Sequence, residues 1–298
     1  FAAYLPTTIS SIVMLIITYK LHEELIGKKF AIASPLILST TFLWFDYSHL
    51  ATQDLIYSCL VTFGIFSIVK TKSKKELVYI SLFGIWIGLA FMMKTFLVAI
   101  PIISLLPYLI KKKFIFTSKY FWLGLIIGFT PFILWMTSIN TILDRNILYY
   151  LFEKFDTLSK DNSFTNPFYY YIWNIPITCL PWSIFSIIGL ISGIRIKNSQ
   201  SYILCYFPLL FIFLISMFST KTPYYPLQIS SILSLNAFIG IKYCIDSKKF
   251  KFLFIFITSR IIPFCVFSII FIYFFIFKTI FNFNMKENIF LILGLIFF

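Results

Sequence analysis

Four polar segments interrupt a mostly apolar sequence and carry the side chains that could do chemistry. They comprise residues 46–54, the single residue Lys94, residues 141–167 and residues 219–226. A carboxylate can accept a proton, an ammonium group can bind an anion, and a phenol can donate a hydrogen bond. These residue types indicate acid–base or binding chemistry on an anionic substrate. The candidates are Asp54, Lys94, Glu153, Lys221, Tyr224 and Tyr225.

Asp54 ends the first polar segment, at the point where an apolar run begins. Two interpretations are open. Thr52 caps the following helix while Asp54 complements its positive N-terminus, or Asp54 is a carboxylate held at a membrane surface as a base or binding group. His49 and Asp46 could form a metal pair, but two ligands make a weak metal site. We assign no metal ligand, and a divalent metal cofactor stays open.

The two candidate lysines stand in different surroundings. Lys94 interrupts a long apolar region, where a lysine costs about 2.5–3.5 kcal/mol at the centre of a membrane helix. It either marks an outer turn with its stem snorkelling to the interface, or it faces a cavity and binds an anion. Lys221 lies in a turn with tyrosines and hydroxyl groups, which suits an anionic lipid headgroup, although tyrosines also form interfacial belts. Glu153 lies in a segment of mixed charge, where a solvated loop is the default interpretation.

The composition shows which kind of protein must position these residues. Of 298 residues, 60% are hydrophobic, 21% aromatic and 12% charged, and the mean hydropathy is +0.92. Soluble domains are about 45–50% apolar and about 25% charged. These values exclude a soluble enzyme, a disordered tail and a disulfide-rich secreted domain, and they leave no soluble basic face for nucleic acid. The sequence therefore predicts an all-α, polytopic bundle of transmembrane helices.

Eleven apolar stretches approach the roughly 20 residues that a membrane-spanning helix needs, so about ten to eleven spans are predicted. The stretches are Tyr4 to Tyr19, Phe30 to Phe45, Leu55 to Val69, Leu77 to Met93, Thr95 to Ile110, Tyr120 to Asn140, Phe168 to Ile194, Ser201 to Phe218, Leu227 to Ile245, Phe252 to Phe277 and Ile289 to Phe298. Lys94 alone separates the fourth stretch from the fifth, which predicts a hairpin. Pro176 and Pro181 are expected to bend the seventh.

The positive charges orient this bundle. Alternate loops, counted from the loop after the first stretch, hold 16 of the 25 Lys and Arg residues, and the opposite loops hold 7. By the positive-inside rule the basic loops are cytoplasmic. The four polar segments then all lie on the outer face. The net charge of +14 is mostly explained by topology and does not identify a ligand.

The whole chain, residues 1–298, is expected to form one transmembrane domain. It begins with Phe1 and ends within an apolar run. We expect that an N-terminal part, with a first span and a first outer loop, precedes it, and that the C-terminus is truncated.

Five motifs, in this order and on one predicted face, resemble a known family. They are Phe1 to Pro6, His49 to Asp54, Phe91 to Lys94, Pro167 to Trp182 and Lys221 to Tyr225. In the same order, they are similar to five elements of that family: the Arg-Leu-Pro opening, the segment ending in Asp, the Thr-Lys-Gly hairpin, the Trp-Tyr-Tyr to Leu-Pro-Trp stretch and the Lys-Leu-Pro-x-Tyr element. The family is the polyprenyl-phosphate-sugar-dependent integral membrane glycosyltransferases of GT-C type, which includes lipid A aminoarabinose transferase and the protein O-mannosyltransferases.

The resemblance implies a GT-C-like fold and a function. A sugar would pass from a polyprenyl-phosphate donor to a lipid or protein acceptor, such as lipopolysaccharide in the cell envelope. The enzyme would lie among the lipids of the bacterial inner membrane, with its active side periplasmic or extracellular. Asp54 would be catalytic, assisting a main base in the preceding loop. Lys94, Lys221, Tyr225, Tyr224 and Glu153 would bind substrate, and Glu153 stands where the family often has Glu-His.

A transporter or flippase for a lipid-linked sugar is the alternative. A transporter should carry polar groups near the middle of the membrane and show inverted repeats. The sequence shows no repeat, and its polar residues gather at one surface, which favours the enzyme. A non-catalytic membrane scaffold is a third hypothesis.

Overall fold

The computed structural model describes residues 2–71, 76–143, 149–151, 153, 166–195, 199–218, 220–247 and 259–260. Its regular elements are helices, which confirms the predicted all-α class. The helices are α1 (Leu5–Leu25), α2 (Ala33–Ser39), α3 (Phe42–Ser48), α4 (Gln53–Lys70), α5 (Leu77–Lys94), α6 (Ala99–Lys111), α7 (Lys119–Leu143), α8 (Tyr170–Thr178), α9 (Ser183–Arg195), α10 (Phe207–Met217) and α11 (Ser230–Asp246). Short 3-10 turns cover Thr95–Val98, Lys113–Ile115 and Tyr225–Ile229, and a π-helical turn covers Tyr202–Tyr206.

Several of these helices can cross a membrane. In the described part of the chain, five helical segments are long and apolar enough, and a bent helix pair would make a sixth. This finding confirms a polytopic helix bundle. The stretches Phe252 to Phe277 and Ile289 to Phe298 lie outside the described residues, so the number of ten to eleven spans stays a prediction.

By contacts the chain divides into two compact units, Phe1–Tyr243 and Cys244–Phe298. Of the second unit, the structure describes residues 244–247 and 259–260. The candidate residues all lie in the first unit. The prediction of a single domain over residues 1–298 stays a prediction.

Contacts between helix ends define two faces of the first unit. At one face, Asp54 at the start of α4 binds Lys94 at the end of α5. At the other face, Lys70 at the end of α4 binds Glu24 near the end of α1. We call them the Asp54 face and the Glu24 face. The two faces lie at opposite ends of α4. A contact between the end of another helix and one end of α4 therefore shows at which face that helix begins or ends.

The helices α5 and α6 form the predicted hairpin. Lys94 lies at the Asp54 face, whereas the Nζ of Lys112, just after α6, donates hydrogen bonds to the carbonyl oxygens of Ile68, at 3.0 Å, and Thr71 at the other end of α4. The chain therefore turns at Lys94 and returns to the Glu24 face.

Helix α7 runs parallel to α5 and packs closely against it. A Cβ atom on Gly88 would lie 2.2 Å from the carbonyl carbon of Gly128, and one on Gly84 would lie 2.4 Å from the carbonyl oxygen of Phe121. Small residues spaced one turn apart allow such an approach of two helix backbones in lipid. This GxxxG packing lies within the chain, and it fixes the position of α5 and of the Lys94 turn at its end.

The second predicted stretch, Phe30 to Phe45, is not one helix, and that prediction is wrong. It is divided into α2 and α3 at Thr40 and Thr41. The Thr41 hydroxyl donates to the carbonyl oxygen of Ile37 at 2.8 Å, and its backbone is extended, with φ −77° and ψ 127°. Hydroxyl side chains that bond the backbone locally compete with the helix ladder.

The seventh stretch, Phe168 to Ile194, is also broken, as its prolines predicted, but the bend is larger than that of a kinked span. Helices α8 and α9 meet at 116°. The backbone N–H of Phe42 donates to the carbonyl oxygen of Leu180 at 3.1 Å, and the Trp182 indole donates to the Thr40 hydroxyl at 2.8 Å. The two breaks therefore satisfy each other's polar groups, as non-helical backbone inside a membrane requires.

Candidate active site

Asp54 lies in the first turn of α4, at the face that carries its name. Thr52 occupies the N-cap position in an extended conformation, but its side chain makes no capping hydrogen bond, and its buried Oγ1 atom has no partner within the described part of the chain. The proposed Thr52 side-chain cap is therefore wrong. A carboxylate in the first turn still complements the positive helix N-terminus.

Lys94 and Asp54 form an ion pair that joins the ends of α5 and α4. The distance from Lys94 Nζ to Asp54 Oδ1 is 2.8 Å, and each side chain is 16% exposed. The ammonium of Lys94 therefore neither extends unpaired to the membrane interface nor faces a cavity without a counter-ion. It binds a carboxylate 40 positions earlier in the chain. The pair places a carboxylate and an ammonium group in direct contact at the Asp54 face.

The turn after Lys94 carries backbone strain. Thr95 has φ +46° and ψ −120°, a conformation that favours glycine because a β-carbon crowds the backbone there. The family motif that the sequence resembles has glycine at this position. The strained residue, Thr95, therefore directly follows the lysine of the ion pair.

We expect Thr95→Gly to raise the free energy of unfolding by about 1–2 kcal/mol, because glycine removes the strain of positive φ. The measurement is the thermal unfolding midpoint of the purified protein in detergent. Thr41→Gly serves as the control, since Thr41 has φ −77°: glycine there relieves no strain, adds chain entropy and removes the hydrogen bond to Ile37, so its midpoint should fall. A midpoint that falls equally in both variants would contradict the assignment of strain to Thr95.

Three tyrosines surround the ion pair. The Nζ of Lys94 lies 5.8 Å from the ring centre of Tyr224, which contacts the rings of Tyr47 at 6.1 Å and Tyr225 at 5.2 Å between centroids. Burial, followed by the carboxylates of Asp46 and Asp54, raises the pKa of Tyr47 to about 12. This phenol keeps its proton at neutral pH and is available as a hydrogen-bond donor.

Lys221 lies three residues before Tyr224, and it is 4% exposed. Its Nζ donates to the carbonyl oxygens of Asn166 at 2.9 Å and Phe218 at 2.5 Å. Within the described residues, no carboxylate lies within 4.0 Å of this Nζ. An ammonium group has three N–H donors, so two bonds to carbonyls leave one for a ligand. Lys221 is thus a buried cation whose charge no described carboxylate balances.

For the remaining candidates, Glu153 and the possible metal ligands, the structure describes few contacts. Glu153 is exposed, and residues 154–165 after it lie outside the described residues. Among the described side chains, no group of three or more His, Cys, Asp and Glu residues could hold a metal ion. His49 contacts the ring of Phe45, at 5.4 Å between centroids. The substrate-binding role of Glu153 stays a prediction.

Two supporting residues were not singled out from the sequence. The Asn166 side-chain amide donates to the carbonyl oxygen of Lys221 at 3.2 Å, and the Tyr171 hydroxyl bonds both backbone polar groups of Thr222. The Pro167 to Trp182 motif contains Tyr171, but only the fold shows that it contacts a turn 51 positions later.

We expect Lys94→Met to lower the free energy of unfolding by about 3 kcal/mol, because it leaves the Asp54 carboxylate mostly buried without its cation. The double variant Lys94→Met/Asp54→Asn should be less destabilised than Lys94→Met alone, since no unpaired charge remains. Thermal unfolding of the wild type, both single variants and the double variant measures this coupling. Strictly additive effects would contradict a stabilising ion pair.

Known membrane glycosyltransferases resemble this chain in sequence. Residues 1–136 match the family model described as dolichyl-phosphate-mannose-protein mannosyltransferase. The chain is 26% identical over 270 residues to undecaprenyl phosphate-alpha-4-amino-4-deoxy-L-arabinose arabinosyl transferase 2 of Proteus mirabilis, a match that covers 84% of this chain and 47% of that protein. The chain thus spans about half the length of the curated relative it matches.

Solved structures show the same fold. ArnT from Cupriavidus metallidurans bound to undecaprenyl phosphate matches with a TM-score of 0.71 and 13% identity, over 80% of this chain and 46% of that one. The apo form of ArnT matches with a TM-score of 0.66 and 14% identity, over 80% and 45%. The predicted GT-C-like fold is therefore confirmed.

Proposed function

We propose that this chain, which is related in sequence and fold to the polyprenyl-phosphate-dependent membrane glycosyltransferases of GT-C type, belongs to an enzyme of that class. The enzyme would transfer a sugar from a polyprenyl-phosphate donor to a lipid or protein acceptor. The site would be the cluster of Asp54, Lys94, Lys221, Tyr224 and Tyr225 at the Asp54 face.

The observation that carries the proposal is the buried ammonium of Lys221. A charge removed from water costs several kcal/mol unless an opposite charge or hydrogen bonds compensate it. The two carbonyl oxygens bonded to Lys221 satisfy donors but carry no net charge. A phosphate group would neutralise this cation and accept its remaining N–H. Such a site favours an anionic lipid headgroup over a neutral sugar.

The ion pair supplies the second part of the chemistry. Lys94 occupies Oδ1 of Asp54, so Oδ2 is the oxygen we assign to the acceptor hydroxyl. The hydroxyl oxygen would attack the anomeric carbon as the bond from that carbon to the phosphate oxygen breaks. Its proton would pass to Oδ2 of Asp54, and polyprenyl phosphate would leave with the bonding electrons. General-base help of this kind contributes about 10²–10⁴-fold.

The cations stabilise the leaving group. Negative charge grows on the phosphate during the transfer, and fixed donors aimed at developing charge lower the barrier. Lys221 is fixed by two carbonyl oxygens, and Lys94 lies on the same face with Tyr224 beside it. The Tyr225 hydroxyl would donate a further hydrogen bond, and the apolar helices would hold the prenyl tail.

The orientation of the site follows from the loop charges. The described basic loops, such as the one that contains Lys111 and Lys112, lie at the Glu24 face. The positive-inside rule places that face in the cytoplasm. The Asp54 face would then be periplasmic or extracellular, in the bacterial inner membrane.

Release of polyprenyl phosphate from a labelled donor tests this function. The full-length protein that contains this chain would be reconstituted in proteoliposomes with donor and an acceptor glycolipid. Acceptor-dependent release of polyprenyl phosphate is expected. Movement of intact donor across the bilayer without cleavage would overturn the proposal and support a flippase.

A further inference from the structure

The Tyr171 hydroxyl connects two distant parts of the chain at the Asp54 face. It accepts a hydrogen bond from the Thr222 backbone N–H at 3.1 Å and donates one to the Thr222 carbonyl oxygen at 3.0 Å. Tyr171 is 1% exposed and Thr222 is 7% exposed. One side-chain atom therefore satisfies both backbone polar groups of the residue that directly follows Lys221.

A second reciprocal contact lies one residue earlier in the turn. Lys221 Nζ donates to the Asn166 carbonyl oxygen at 2.9 Å, and the Asn166 side-chain amide donates to the Lys221 carbonyl oxygen at 3.2 Å. Four hydrogen bonds thus join residues 166–171 to residues 221–222. The peptide unit that follows the Lys221 Cα atom is thus held from outside its own turn, at its carbonyl oxygen by Asn166 and at its N–H by Tyr171.

We propose that Tyr171 is a positioning residue for phosphate recognition: it fixes the Lys221 turn so that the free N–H of Lys221 meets the donor phosphate. This inference rests on the proposed function and deepens it. A phenol is suited to the task because its oxygen both donates and accepts, whereas phenylalanine of the same shape does neither.

The free-energy cost of burying unpaired backbone groups explains why the Tyr171 hydroxyl matters. Without it, the N–H and the carbonyl oxygen of Thr222 would be buried without partners, and each such group costs about 1–3 kcal/mol. The turn would relax to recover hydrogen bonds, and Lys221 would move with it. The predicted consequence is weaker phosphate binding rather than slower chemistry in the bound state.

The test compares Tyr171→Phe with Tyr57→Phe in the full-length protein. Tyr57 is equally buried at 1%, but its hydroxyl has no hydrogen-bond partner among the residues that the structure describes, so it is a matched control. In Tyr171→Phe we expect the donor KM to rise about tenfold, as loss of two neutral hydrogen bonds implies, with kcat within about twofold. Tyr57→Phe should match the wild type. A Tyr171→Phe variant with unchanged donor KM would overturn the proposal, whatever its thermal stability.

A double variant distinguishes positioning from general structural support. If Tyr171 acts through Lys221, adding Tyr171→Phe to Lys221→Met should not raise the donor KM further. A further rise of about tenfold would overturn the proposal, because the hydroxyl would then act independently of the lysine.

Binding of undecaprenyl phosphate separates this inference from the proposed function. Wild-type protein in nanodiscs should bind that lipid, and Tyr171→Phe should bind it about tenfold more weakly. If the wild type binds and Tyr171→Phe binds equally, the positioning role fails while the proposed function stands. If the wild type neither binds the lipid nor cleaves a donor, the proposed function fails, and this inference fails with it.

Discussion

Asp54→Asn is expected to lower the turnover of a polyprenyl-phosphate sugar donor by about 10²–10⁴-fold, the usual contribution of a general base. Asparagine keeps the size of the side chain and an oxygen that can accept the Lys94 hydrogen bond, which is 2.8 Å long in the native pair. The variant removes the negative charge and the ability to take a proton. Single-turnover release of polyprenyl phosphate from saturating labelled donor measures the effect on chemistry alone.

Asp46→Asn is the matched control for this variant. Asp46 belongs to the same polar segment, residues 46–54, and in the described residues it forms no ion pair. We expect Asp46→Asn to change turnover by less than about threefold, because Asp46 is only partly buried and holds no described cation, so its charge acts on the site through solvent-screened electrostatics. Equal losses of turnover in both variants would contradict a general base at Asp54. They would show that turnover depends on the total negative charge near the site.

Lys221→Met is expected to raise the donor KM by about 10–100-fold, since a hydrogen bond to a charged group contributes about 1.5–3 kcal/mol. Methionine nearly fills the space of the lysine stem, so a cavity does not complicate the result. The variant also removes the hydrogen bonds to Asn166 and Phe218. Donor KM and kcat are therefore measured separately, together with the unfolding midpoint.

Lys113→Met is the control for charge removal, because Lys113 is exposed in the loop that follows α6. It should leave the donor KM unchanged. A Lys221→Met variant that kept the wild-type donor KM would show that the buried ammonium of Lys221 does not bind the donor phosphate. A parallel rise of KM in both variants would point instead to a general effect of membrane surface charge.

Much of the fold follows from residue patterns. Apolar stretches located most of the helices, and Lys94 alone indicated the hairpin between α5 and α6. The sequence did not predict the division of the second stretch, because an apolar run with two threonines is compatible with a straight span. The break depends on a partner: the carbonyl oxygen of Leu180 accepts the Phe42 N–H. Hydropathy alone contains no information on that contact.

Charge asymmetry predicted that Asp54, Lys94 and Lys221 lie on one side of the membrane, but it did not predict that Lys94 binds Asp54 beside Tyr224. Whether Lys94 would bind Asp54 depends on how far α4 and α5 extend beyond the apolar region, a distance that composition does not fix. Tyr171 could be found only from the fold, because an interfacial tyrosine in an aromatic belt has the same sequence signature.

The most direct test of the account is a structure of the full-length protein in nanodiscs with undecaprenyl phosphate. The account predicts the phosphate at the Asp54 face, within hydrogen-bond distance of Lys221 Nζ, where it would balance the buried cation. A phosphate bound at the Glu24 face beside Lys70 or Lys112, or bound at the Asp54 face away from Lys221, would contradict it.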